Sequence, residues 1–131
     1  ELGRPGVGAR FIEVEKISRE LARLKITLEE QNPVSALVQD PQEGAFPPEI
    51  LQEKVLSAIV EFKVPFNRVA KILEMLRRVV AELDTVASIS LIGRGEPDGR
   101  ILLEEFLVQE GVVYYPNGKV NIGLGRPLAE P

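Results

Sequence analysis

The chain has 131 residues, 44% of them hydrophobic and 27% charged, with a net charge of −4 and neither histidine nor cysteine. The missing pair excludes Ser-His-Asp and Cys-His hydrolysis, structural zinc, haem and iron–sulfur ligation, thiol redox and a disulfide scaffold. The acidic balance repels phosphate backbones at long range and argues against general nucleic-acid binding, and no apolar run nears the roughly 18 residues of a transmembrane helix.

The length suits one domain with an aliphatic core, since only five Phe and two Tyr supply aromatic volume. The sequence opens on Glu1 rather than methionine, so a domain, a processed product and a trimmed chain all fit it. The compartment stays open, with the cytoplasm favoured.

Residues 1–10 are rich in Gly and Pro and read as a flexible lead-in. An amphipathic helix follows from Phe11 to Gln31, in a segment 11–32 that precedes a compact domain at 33–131. Val14, Ile17, Leu21, Leu24 and Leu28 alternate spacings of three and four, the a/d register of a coiled coil. Glu15–Arg19, Lys16–Glu20 and Lys25–Glu29 stand at i,i+4, where opposite charges support a helix. Asn32-Pro33 ends it.

Residues 33–48 hold four prolines and read as a connector. Pro48 suits a first helical position, and residues 49–63 read as a second helix with Leu51, Val55, Ala58, Ile59 and Phe62 on one face. After the break at Val64-Pro65 a third helix runs to Leu83, with Val69, Ile72, Leu73, Leu76, Val79, Val80 and Leu83 on one arc. The two helices are expected to pack as a hairpin or an angled pair.

From residue 86 to 92 the period changes to two, which reads as a strand. Gly93–Gly99 is a turn-rich loop. Residues 100–110 fit either a short helix ended by Gly111 at C′ or a strand, and the helix is preferred. Val112–Tyr115 and Lys119–Leu124, joined by Pro116-Asn117-Gly118, read as a β-hairpin. The tetrapeptide LGRP occurs at Leu2–Pro5 and again at Leu124–Pro127. The expected fold is α+β: an amphipathic, coiled-coil-like helix and a helical pair, then a small, mostly antiparallel sheet containing a β-α-β-β unit.

Four features bear on function. The seam Val14, Ile17, Leu21, Leu24 and Leu28 is narrower than an ordinary core face, which points to a second copy or a partner helix. Arg68, Lys71 and Arg78 form a basic stripe able to contact an anion, although Glu74 and Glu82 stand at i,i+4 from Arg78 and explain much of it as a solvated, ion-paired face. Glu96, Asp98, Glu104 and Glu105 could act as catalytic or magnesium-binding carboxylates, but Glu-Pro-Asp-Gly is itself a turn. Adjacent Tyr114 and Tyr115 point to opposite faces of a strand, and one of them offers an interface contact.

The leading expectation is therefore a non-enzymatic interaction, regulatory or assembly domain, homodimeric through the helix at 11–31, with no cofactor and no metal. The alternative is a small-ligand sensor with a pocket between sheet and helices or at a subunit interface. A carboxylate-dependent enzyme subunit ranks third.

Overall fold

The computed structural model describes residues 1–115. Its chain divides into two compact units, Glu1–Ile89 and a second that begins at Ser90. Among the described residues there are three α-helices and a small antiparallel sheet, an α+β protein. No helix among them is long and apolar enough to cross a membrane.

In the first unit, strand β1 (Ala9–Arg10) leads directly into helix α1 (Phe11–Arg23), and β1 pairs antiparallel with β2 (Lys54–Val55). Helix α2 (Val69–Val80) follows a 3-10 turn at Phe66–Arg68 and packs on α1. The core between them contains Val14, Ile17, Leu21, Ile72, Leu76 and Val79, and Leu2 and Ala58 belong to the same cluster. Phe11 and Phe46 meet there with ring centroids 5.6 Å apart at 47°. Of the arc expected for a helix running from Pro65 to Leu83, α2 buries Val69, Ile72, Leu73, Leu76 and Val79, with Met75 added, while Val80 is partly buried at its end and Leu83 lies past it.

Three expectations about residues 1–63 need correction. First, residues 1–10 are not a loose lead-in. Leu2 is 1% exposed and bridges both Ala58 and Ala87, so Glu1–Gly3 runs between two other segments. Arg4–Val7 bulges out as a turn, and Gly8 (φ +70°) returns the chain to β1. A Cβ at Gly8 would stand 2.8 Å from the Val55 carbonyl oxygen, so the close approach of the two backbones requires glycine there.

Second, α1 stops at Arg23 rather than Gln31. Lys25 takes a left-handed conformation (φ 54°), its N–H donates to Ala22 O at 2.8 Å, and the Ile26 N–H donates to Leu21 O at 2.9 Å. This is a Schellman closure with buried Ile26 as its hydrophobic contact. Arg68 adds a bond from its guanidinium to Leu24 O at 2.7 Å.

Third, residues 49–63 are not a helix. A 3-10 turn at Pro48–Ile50 is followed by β2 and an extended run in which Ala58, Val60, Phe62 and Val64 turn inward and Ile59, Glu61, Lys63 and Pro65 outward. This run serves as a spine. It bonds Arg10 and Ala9 through β2, Leu2 through Ala58, and Leu28 through Phe62. The expected helical pair is thus replaced by α1 against α2.

Residues 86–92, expected as a strand, contribute the single bridge at Ala87, flanked by Gly3 N–H to Val86 O at 2.8 Å and Ser88 N–H to Glu1 O at 2.9 Å. In the second unit, helix α3 (Leu102–Gln109) lies where the preferred reading put it. Gly111 (φ 63°) is its C′ residue, donating to Val108 O, while the Val112 N–H donates to Leu107 O at 2.8 Å. Val112–Tyr115 is not a strand, and the rest of the expected hairpin lies outside the described residues, as does the second LGRP. The described residues therefore form no β-α-β-β unit.

Candidate contact surface

The seam on the first helix is occupied by its own chain. Val14 and Leu21 are completely buried and Ile17 nearly so, in one cluster with Phe46, Ile72 and Leu76. Leu24 and Leu28 lie past the helix end and are half-buried against the same core. A partner helix would have to displace α2 to reach this stripe.

Its narrowness has a different cause. The flanking positions of α1 are polar because they hold loops in place. Glu13, 7% exposed, accepts from the Asp84 N–H at 2.9 Å and from Lys16 Nζ at 3.0 Å. Glu15 accepts from the Phe46 N–H at 2.7 Å while pairing with Arg19 Nε at 2.9 Å. The Ser18 hydroxyl donates to the Gly44 carbonyl. Buried carboxylates satisfied in this way are consistent with a fixed core rather than an open seam.

Arg68, Lys71 and Arg78 are not brought to one point. Arg68 is held on the end of α1, and Arg78 reaches Glu20 at 3.2 Å, a carboxylate also shared by Arg23. Lys71 is exposed between them on α2. Ten residues of helix place Arg68 and Arg78 about 15 Å apart along the axis. A shallow cleft of about 390 Å³ between α1 and α2 is lined by Lys16, Arg19, Arg23 and Arg78 with Glu20 and Glu82. Its cations already have carboxylate neighbours.

Of the four carboxylates singled out in the second unit, Asp98 and Glu104 are engaged locally. Asp98 pairs with Arg100 Nε at 2.7 Å, and that guanidinium together with the Arg100 N–H holds the carboxyl below its ordinary value. Glu104 accepts from the Tyr114 hydroxyl at 3.0 Å. Desolvation, this bond and the Glu104 charge raise the Tyr114 phenol above its usual value. Among the described residues no group of three or more acids is placed to hold a metal ion. Tyr115 is 90% exposed and Tyr114 half-buried, a split between neighbours that occurs here without a strand.

What sequence reasoning missed is the run of exposed apolar side chains from Val86 onward. Val86, Ile89 and Leu91 are about two-fifths exposed, Val108 is 68% exposed, and Ile92 and Val113 are almost wholly so. In the described part of the second unit Leu107 alone among the large apolar residues is buried. The signal was available: Thr85–Gly93 is an uncharged stretch of nine residues in a chain that is 27% charged overall.

Comparison with known proteins finds no matching family model, no matching curated protein and no matching solved structure.

Proposed function

We propose that this chain is a protein-contact module, a non-enzymatic interaction or assembly domain that associates with copies of itself. The observation that supports this reading is the concentration of exposed apolar side chains between Val86 and Tyr115. Scattered apolar residues on a surface need no explanation, but a stretch that keeps Ile92, Val113 and Tyr115 at 90% exposure or more has surface to bury on association. The contact is moved away from the first helix, whose apolar stripe is spent on the chain's own core.

Sedimentation or light scattering over a concentration series tests the reading. The expected mass rises above the single-chain 14.5 kDa as concentration increases. A single-chain mass throughout overturns it.

The sensor reading draws on the basic cleft between α1 and α2. It requires a small anion to raise the melting temperature, an effect that Arg78→Ala and Arg19→Ala would remove.

A further inference from the structure

The β1–β2 ladder sets Arg10 directly opposite Lys54. Residues so placed share one face of the sheet with Cβ atoms about 5 Å apart, and like charges in that position destabilise the pair. Both side chains are exposed, and neither makes an ion pair or a side-chain hydrogen bond among the described residues. Elsewhere the same unit matches Lys16, Arg19, Arg23, Lys63 and Arg78 to carboxylates. Arg10 carries a second cost. It immediately precedes α1, where a cation opposes the helix dipole.

A third cation stands at this end of the ladder. Arg4 opens the turn that rejoins β1 at Gly8, and its carbonyl accepts from the Gly8 N–H at 2.9 Å. The Lys54 stem lies across that glycine: a Cβ at position 8 would stand 2.7 Å from Lys54 Cε and 3.3 Å from Cγ. Glycine thus leaves room for the stem beside the turn that carries Arg4, itself exposed and without a side-chain partner. The end of α1 offers a ligand little, because the Phe11 and Ile12 N–H groups donate to the Glu53 and Leu51 carbonyls at 3.1 and 2.9 Å. The side chains are what is left to bind with. A dianion relieves their repulsion where a single carboxylate would cancel only one charge. Phosphate supplies two oxygens for the planar guanidinium fork and another for the ammonium.

We propose that Arg10 and Lys54, with Arg4 at the rim, bind a phosphate-type oxyanion on the exposed face of the β1–β2 ladder. The site is built from the first unit alone and does not depend on self-association.

Inorganic phosphate is the probe, titrated at constant ionic strength against chloride and followed by calorimetry and thermal unfolding. It is expected to bind and to raise the melting temperature of the parent chain. Arg10→Glu and Lys54→Glu, both at exposed positions, keep the parent's circular dichroism and each weaken phosphate binding about tenfold or more. In chloride alone Lys54→Glu melts above the parent, because it turns the pair into opposite charges. No gain there overturns the premise that the pair is strained. Acetate is expected to leave the parent unmoved, and an equal response to acetate overturns the phosphate class. O-phosphoserine tested beside inorganic phosphate separates the sources: tighter binding of the ester points to a phosphorylated partner, tighter binding of phosphate to a free anion, and either supports the site. A parent indifferent to phosphate overturns it, as does a response that survives both variants. A response removed by Arg78→Ala instead overturns it too, and moves the anion to the cleft between α1 and α2.

Discussion

Gly44 lies flat against the backbone of Ser18, so close that a Cβ at position 44 would overlap the Ser18 carbonyl group. The contact seats a whole loop on α1. Asp40 accepts from the Gln42 and Glu43 N–H groups, Asp40 and Ala45 bridge, and Phe46 is delivered to Glu15 and Phe11. Gly44→Ala combines that overlap with a left-handed φ of +67°. The expected loss is about 2–4 kcal/mol in urea unfolding. An unchanged midpoint would show that the loop can lift without cost.

Lys25 holds the position at which α3 has Gly111. Both residues close a helix in the left-handed region, and only one lacks a Cβ. Lys25→Gly is expected to raise stability by about 0.5–1 kcal/mol, the relief of that strain less the added entropy of the unfolded chain. Chemical denaturation with an unchanged slope checks it, and a lower midpoint contradicts it.

Leu2 stands at the centre of its three-segment ladder, 1% exposed. Leu2→Ala is expected to cost about 2–5 kcal/mol, the range for a large core residue cut to alanine. A terminal residue on a loose lead-in would cost nothing measurable, so thermal unfolding of this one variant separates the two descriptions.

The Tyr114 phenol, followed by ultraviolet absorbance in a Tyr115→Phe background, is expected to ionise above its ordinary value of about 10. Glu104→Gln removes the neighbouring charge and brings the midpoint down. Because the folded state favours the neutral phenol, its contribution to stability is complete below the unfolded value and disappears as pH rises through the folded one. A midpoint indifferent to Glu104→Gln would sink the assignment.

The parts of the fold legible in the sequence are those where one local signal acts alone. The arc of α2 and the end of α3 at Gly111 are of this kind. The end of α1 was hidden because its left-handed residue is a lysine, with no glycine to mark it. Residues 58–64 carried two signals at once. Ala58, Ile59 and Phe62 fit a helix, while Val60-Glu61-Phe62-Lys63-Val64 alternates strictly, and long-range pairing with Leu2 and Leu28 decided for the extended form. The seam was legible as a stripe, but its owner was not. Nothing in the spacing of Val14, Ile17 and Leu21 distinguishes a second molecule from α2, and the buried duties of Glu13, Glu15 and Ser18 depend on loops far along the chain.

The spine at residues 54–62 sets a timetable for synthesis. Glu1–Gly3 bonds on one side to Ala58 and on the other to Val86 and Ser88. Residues 1–3 can pair on the Ala58 side once that segment has emerged, but their other side must wait until residue 88 follows. Loop closure over so long a separation is slow. Leu2, an apolar residue whose three-segment ladder is incomplete in the meantime, is a side chain that a nascent-chain chaperone would have long to hold.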